Sequence, residues 1–138
     1  MGDLIGVPSE AAVTIWPLCL PFIEQYFKKS KEHRWNSNDL LHAVLDRDMQ
    51  LWVILAGDAE EIETVVLTEI TNYPRVRECN VFMISGKMTA RHDWREVVEE
   101  VVEWAASQGC HYVSSMARKG SEKAMGWEVR QTYIVRTI

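Results

Sequence analysis

Apolar residues in the first part of the chain recur with the spacing of a helix. Between residues 13 and 29 they fall at positions 15, 18/19, 22/23 and 26/27, which marks one stripe along a helical surface. Pro17 and Pro21 interrupt this stretch, because each removes an N–H donor and clashes with the preceding turn. The pattern therefore predicts a broken entry, followed by a regular helix from about Pro21, since proline suits the first turn.

A second helix follows after a short polar stretch. Ser37 or Asn38 can cap its N-terminus. The helix is predicted to run through about Arg47, with a buried face formed by Leu40, Leu41, Val44 and Leu45.

The middle of the chain changes to short apolar and β-branched runs, which are typical of strands. Residues 51–56 and 62–71 predict the two strands of a hairpin, with a turn that begins at Gly57-Asp58. Residues 72–74 break the chain. Residues 79–84 then predict a third strand, and a loop follows over residues 85–91.

The clearest helix of the sequence spans about residues 93–108. Its apolar face carries Trp94, Val97, Val98, Val101, Val102 and Ala105, and its polar face carries Glu96, Glu99, Glu100 and Glu103. Gly109 is a natural residue to end it. A strand over residues 111–116, a short helix over 120–125 and a closing strand over 127–138 complete the prediction.

The resulting order is α-α-β-β-β-α-β-α-β, which predicts an α/β fold with a mixed sheet. The strand–helix–strand unit over residues 79–116 should be parallel with a right-handed crossover.

Length and composition fit one small globular domain. The chain has 138 residues, of which 47% are hydrophobic and 25% charged, and this is enough to bury a core. We expect a flexible N-terminus over residues 1–12 and a single domain over residues 13–138. The sequence shows no membrane-length apolar run and no secretory leader, which favours a cytoplasmic, non-secreted protein without a membrane segment.

Acidic residues outnumber basic ones, and they are unevenly spread. With 15 Lys and Arg against 20 Asp and Glu, the formal net charge is −5, which argues against a nucleic-acid partner. Residues 51–108 carry 5 basic and 11 acidic side chains (net −6), whereas residues 109–138 carry 5 and 2 (net +3). An acidic ligand or protein surface would be better received near the last third of the chain.

The cysteine and histidine spacings predict no metal site. The three cysteines and four histidines show neither a CxxC nor an HxxxH pattern. Cys110 is interpreted as a small hydrophobe rather than a nucleophile, because the adjacent His111 would point to the opposite face of a strand. Three tryptophans lie near the ends of predicted elements, which favours a role in an interface: Trp16, Trp35 and Trp127. Core packing is the alternative for Trp16.

This order of elements resembles the GNAT superfamily of acyl-CoA N-acyltransferases over residues 13–138. The pieces that carry the resemblance are the strand CNVFMI, the loop SGKMTAR, the helix over 93–108, the strand HYVSSM and the pair Gly126-Trp127. The resemblance implies a GNAT-like mixed, twisted sheet flanked by helices on both faces. It also implies that two central strands splay apart and that acetyl-CoA enters between them.

The resemblance further implies which residues would hold the cofactor. The backbone of Phe82 and Ile84 would bind the pantetheine arm. The loop over residues 85–91 would bind the pyrophosphate, through Gly86, Lys87 and Arg91.

It also implies candidates for proton transfer. Glu69 would be the general base, with Glu63 next, although a solvent-facing strand glutamate is the alternative interpretation. The tyrosine that the family places before the glycine–aromatic pair is replaced by Glu122. Tyr133, or Tyr112, would then serve as the acid.

The chain also departs from the family pattern. Gly86 is the one glycine in a loop where the family has Gly-x-Gly or Gly-x-Ala, and Asp93 puts a carboxylate near the phosphate position. These departures resemble small GNAT-like proteins of tailed phages, among them internal virion proteins. Arg118-Lys119-Gly120, followed by Gly126-Trp127, looks like a segment that they carry.

Two functions follow as hypotheses. The first is a phage virion or virion-associated interaction protein without efficient catalysis and without a cofactor. It would reside in the host cytoplasm or the virion and bind other protein subunits or further copies of itself. The alternative is an active N-acetyltransferase that uses acetyl-CoA on an amine.

Overall fold

The chain folds around one five-stranded mixed sheet. The computed structural model describes residues 4–56, 61–86, 94–117 and 120–138. Within these ranges the strands are β1 (Leu4–Val7), β2 (Met49–Leu55), β3 (Ile62–Asn72), β4 (Arg77–Gly86) and β5 (Tyr112–Ser114), and the helices are α1 (Ser9–Lys29), α2 (Ser37–Leu45), α3 (Trp94–Ser107) and α4 (Ser121–Met125). The strands lie in sequence order. The first three pairings are antiparallel and β4 pairs with β5 in parallel.

Helices cover both faces of this sheet, as the sequence predicts. Alternate residues of β3 feed two cores, so that Val65 and Leu67 pack with α1 and α2 while Val66 packs with α3. Residues 62–68 of β3 are buried throughout. Such two-sided burial explains why this strand shows a continuous β-branched run instead of apolar–polar alternation.

The predicted break in the first helix is wrong. Helix α1 is continuous from Ser9 to Lys29 and contains both Pro17 and Pro21. The two prolines lie four residues apart on the exposed side of the helix. There, water can satisfy the carbonyls that lose an intrahelical partner. The opposite side packs into the core through Ala12, Trp16, Cys19 and Ile23, and this burial outweighs the local proline penalty.

Helix α2 confirms the second predicted helix but begins with a different cap. The side chain of Asn36 accepts a hydrogen bond from the Asp39 N–H at 2.8 Å. The Asp39 carboxylate accepts one from the Asn36 N–H at 2.9 Å. This reciprocal capping box satisfies two N–H groups of the first turn.

The hairpin of β2 and β3, and the β4–α3–β5 unit with parallel strands, are confirmed. Helix α3 buries Val97, Val98, Val101 and Ala105, as its periodicity predicts. Gly109 follows it with a φ of 78°, which L side chains rarely adopt. The predicted turn at Gly57-Asp58 lies outside the described residues.

Both ends of the sequence differ from the prediction. Residues 4–7 form β1, which pairs with β2 from Leu4↔Ile54 to Val7↔Leu51. Four residues are too few for a periodic signal. The predicted mobility of residues 1–12 stays a prediction. The predicted closing strand is wrong, because residues 127–138 form no strand. Alternation sets the faces of a strand, but a strand also requires a backbone partner.

None of the helices in the described ranges is long and apolar enough to span a bilayer.

Candidate functional site

The two parallel strands at the edge of the sheet part after a short contact. β4 and β5 pair at Glu78↔Tyr112, Cys79↔Val113 and Asn80↔Ser114, and β4 then continues to Gly86 without a strand partner on that edge in the described ranges. The last link is the Ser115 hydroxyl, which donates to the Val81 carbonyl at 2.9 Å. The remaining edge of β4 is therefore open to a ligand with backbone-like polar groups.

A β-bulge lies where the strands part. The β3–β4 register passes from Thr68↔Val81 to Leu67↔Met83, so Phe82 is an extra residue with no partner. Phe82 and Met83 consequently both pack toward α1 and α2, whereas Val81 and Ile84 pack toward α3. A bulge bends its strand and increases its twist. The bulge at Phe82 thus gives a physical reason for the splay.

Aromatic rings cover the bulge on the α1–α2 side. The ring centroid of Phe82 lies 5.9 Å from that of Tyr26 and 5.9 Å from that of Trp35. Tyr26 also contacts Phe27 edge-on, with centroids 5.5 Å apart. These contacts join the end of α1 and the α1–α2 connection to the point where β4 leaves β5.

An ion pair adjoins these rings. The Arg34 Nε donates to Glu32 Oε2 at 3.0 Å, and the backbone N–H of Arg34 donates to the same oxygen at 2.7 Å. The Glu32 side chain is only 6% exposed, although that of Arg34 is 50% exposed. The hydrogen bond from Arg34 lowers the pKa of Glu32, so the carboxylate stays ionised beside its partner.

Tyr26 belongs to the same neighbourhood. Burial raises the pKa of its phenol, a hydrogen bond with Ser30 opposes the rise, and Glu32 adds to it. The Arg34 guanidinium lies 5.8 Å from the ring centroid of Tyr133. Tyr26, Glu32, Arg34 and Trp35 are called the loop cluster from here on.

Gly86, at the end of β4, lies too close to β3 for any side chain. A Cβ there would lie 2.6 Å from the Glu63 carbonyl oxygen and 2.9 Å from the Thr64 Cα. The adjacent Ser85 hydroxyl donates to the Phe22 carbonyl of α1 at 2.7 Å. The end of β4 is therefore fixed on both sides before the chain enters the loop.

The structure brings only some of the predicted site residues together. Phe82, Ile84 and Gly86 all lie on the open part of β4. Lys87 and Arg91 lie outside the described residues, as does Asp93.

The predicted acid and base lie on separate elements. Glu69 stands opposite Asn80, whose Nδ2 donates to Glu69 Oε1 at 3.1 Å. Glu69 also lines a polar depression of about 480 Å³ near the far ends of β3 and β4. Glu63 is only 5% exposed. Tyr133 is largely exposed and contacts the loop cluster through Arg34.

The structure also describes the three tryptophans and the cysteine that the sequence analysis considered. Trp16 is buried in the core, while Trp35 and Trp127 are half-buried. Cys110 is half-buried against the α3 core. The described residues contain no group of three or more His, Cys, Asp or Glu side chains that could hold a metal ion.

The loop cluster has no functional signal in the sequence. Tyr26 falls on the core stripe of the first predicted helix and Trp35 is predicted at an interface, while Glu32 and Arg34 resemble any polar connection. The only local signal is the i, i+2 spacing of opposite charges. Their approach to Phe82 depends on packing across 47 or more positions of the chain, which periodicity does not encode.

Comparison with solved structures identifies the same fold in acetyltransferases. An aminoglycoside acetyltransferase from a soil metagenome is 10% identical, with a TM-score of 0.70 over 99% of this chain and 95% of its own. A predicted acetyltransferase of Clostridium acetobutylicum, solved with acetyl-CoA, is 11% identical with a TM-score of 0.70 over 99% and 96%. A Pyrococcus furiosus protein, provisionally described as an acetyl transferase, is 14% identical with a TM-score of 0.74 over the full length of both.

No family model and no curated protein sequence matches the chain. At these identities the likeness establishes the GNAT-like fold, and function has to be argued from the site.

Proposed function

We propose that this protein binds acetyl-CoA along the open edge of β4 and transfers the acetyl group to an amine. The observation that carries the proposal is the splay. β4 runs for six residues past Asn80, the last residue that it pairs with β5, and the bulge at Phe82 lies at the start of that stretch. An unpaired strand edge inside a domain presents N–H and C=O groups that need partners.

The residues at this edge fit the pantetheine arm of the cofactor. That arm carries two amides, and a chain with regularly placed amides can add to a strand edge as another strand would. The backbone of residues 82–86 supplies the hydrogen-bonding groups, and Val81 and Ile84 supply apolar contact on the α3 side. Bound acetyl-CoA would supply the acyl group as an activated thioester.

The chain's own residues would manage the protons. Glu69 is proposed to accept the proton of the attacking amine at its carboxylate, which Asn80 orients from one residue before the splay. Tyr133 is proposed to donate a proton from its hydroxyl, and Arg34 holds its ring. Tyr26 is a second candidate donor, because its ring contacts the bulge.

Hydrogen exchange tests the binding step directly. Adding coenzyme A should slow amide exchange within residues 81–86 and leave the antiparallel β1–β2 pair unchanged. Coenzyme A at millimolar concentration without protection of residues 81–86 would overturn the proposal. This readout needs no substitution, so it is independent of folding defects.

Acyl transfer tests the second step. Glu69→Gln should lower the rate of acetyl transfer to an amine while coenzyme A protection of residues 81–86 remains. Glu103→Gln, on the exposed face of α3, is the matched control and should change neither. An equal rate in wild type and Glu69→Gln would remove Glu69 from its role but leave the binding proposal standing.

A second candidate is a protein with this fold that serves as an interaction partner, such as a phage virion or virion-associated component. Two observations favour it: Gly86 is the one glycine in the loop over residues 85–91, and apolar side chains of residues 127–138 are exposed. No coenzyme A protection of residues 81–86 at millimolar concentration, together with a stable assembly, would favour this candidate.

A further inference from the structure

The last twelve residues form no strand and expose several large apolar side chains. In segment 127–138 large apolar side chains have exposed fractions of 63% or more; they are Val129, Tyr133, Ile134, Val135 and Ile138. Odd positions carry Trp127, Val129, Tyr133 and Val135, whereas even positions carry all three charged side chains together with Ile134 and Ile138. This two-residue period is that of a strand with one face meant for burial.

A side-chain contact places part of this segment beside the last strand of the sheet. The Arg130 Nε contacts Glu128 Oε1 at 2.5 Å, which places positions 128 and 130 on one side of the backbone. The Arg130 guanidinium lies 5.0 Å from the ring centroid of Tyr112 in β5. Side chains therefore hold the segment in place, while its backbone forms no strand ladder in the described ranges.

We propose that segment 127–138 pairs with the same segment of a second copy of this chain, in an antiparallel ladder centred on Thr132. This register places Glu128 opposite Arg136 and, by two-fold symmetry, Arg136 opposite Glu128. It also places Val129 opposite Val135 at both ends. Directly opposed unlike charges and apolar pairs are the contacts that stabilise adjacent strands, and a two-fold contact must be self-complementary.

Neighbouring registers are less favourable. A ladder centred on Tyr133 places Arg130 opposite Arg136, and like charges directly opposite are destabilising. A ladder centred on Gln131 leaves neither Glu128 nor Arg136 opposite a charge. The charges of the segment thus select both the partner, a second copy, and the register.

Charge exchange tests the partner. Glu128→Arg and Arg136→Glu should each be monomeric in sedimentation velocity at concentrations where the wild type is dimeric. An equimolar mixture should form a heterodimer, because each unlike pair is then restored. A wild type that stays monomeric at about 100 µM, or a mixture that fails to associate, would overturn the proposal. Circular dichroism of each single variant verifies the fold.

Cross-linking tests the register. Thr132→Cys, in a Cys110→Ser background, places two thiols opposite each other at the two-fold axis, where the Cα separation of antiparallel partners allows a disulfide. Cys19 and Cys79 are fully buried and remain in place. Thr137→Cys is the control, since its two copies would lie ten residues apart along the ladder. Rapid disulfide formation at 132 but not at 137 is expected. Equal rates at both positions would contradict the register.

Discussion

The ring of Phe82 packs edge-on against that of Trp35, with centroids 5.9 Å apart and planes at 69°. Phe82 is the bulge residue of β4, and Trp35 belongs to the connection between α1 and α2. The two rings therefore tie that connection to the point at which β4 leaves β5. A substitution that removes this contact should lower the free energy of unfolding and disturb the open edge of β4.

Phe82→Ala should destabilise the protein by about 2 kcal/mol, less than for a fully buried phenylalanine, because the ring is half-buried. Urea denaturation measures the loss. Trp35 should become more exposed, so its indole emission should shift to the red. Tyr73→Ala, which removes an exposed ring, is the control and should change the free energy of unfolding by less than about 0.5 kcal/mol.

Gly86→Ala should destabilise the protein by about 1–3 kcal/mol, because the new Cβ overlaps β3. The nearest atom is the Thr64 Oγ1, and two backbone positions, the Glu63 carbonyl and the Thr64 Cα, lie almost as close. Adding Thr64→Ala should therefore restore only part of the loss. Complete rescue in the double variant would show that only the hydroxyl resists the substitution.

The ion pair of Glu32 and Arg34 should make stability depend on acid pH. The folded protein lowers the pKa of Glu32, chiefly through the hydrogen bond from Arg34. The stabilisation is thus present above the unfolded pKa and is lost as pH falls through the folded pKa. The Tm difference between wild type and Glu32→Gln should be largest near pH 7 and shrink below about pH 4. Glu24→Gln, on the exposed side of α1, should show a flat difference.

Pro17→Ala should raise the free energy of unfolding by about 1–2 kcal/mol. The substitution restores a helical N–H donor. Part of this stabilisation is offset, because alanine leaves the unfolded chain more conformational entropy than proline does. Pro17 is exposed, so the new side chain meets no core atoms. Leu18→Ala, in the same helix and 61% exposed, is the control. A loss of stability in Pro17→Ala would mean that the bend at this proline is needed for packing on the sheet.

Elements set by local periodicity were predictable from the sequence, and those set by distant contacts were not. The valine face of α3 and the β-branched run of β3 encode their own burial. The continuity of α1 depends on the sheet beneath it, which outweighs two prolines. For residues 127–138 the alternation predicts a strand, but their backbone has no strand partner in the described ranges.

The same division holds for the candidate site. The resemblance predicts Phe82 and Ile84 on one strand, and they lie there, whereas Gly86, predicted in the loop, is the last residue of that strand. The bulge has no sequence signal, because it depends on the register with β3. The approach of Tyr26 and Trp35 to that bulge, and the shielding of Glu32, require the folded α1–α2 connection.

Substitution by valine should have different effects on stability at two buried threonines of β3. The Thr68 Oγ1 accepts from Trp52 Nε1 at 3.0 Å and donates to Gln50 Oε1 at 2.8 Å. Thr68→Val leaves both partners unpaired and should cost about 1–3 kcal/mol.

The Thr64 hydroxyl is equally buried but has no hydrogen-bond partner within the described ranges. Thr64→Val removes a desolvated polar group and adds a methyl of similar size, so it should leave stability unchanged or raise it. Paired urea titrations of the two variants measure both effects. An equal loss in both would show that the Thr64 hydroxyl bonds to a group outside the described ranges. Both substitutions make the same change in side-chain volume. The difference between their effects on the free energy of unfolding therefore measures how much the hydrogen bonds of Thr68 stabilise the centre of the sheet.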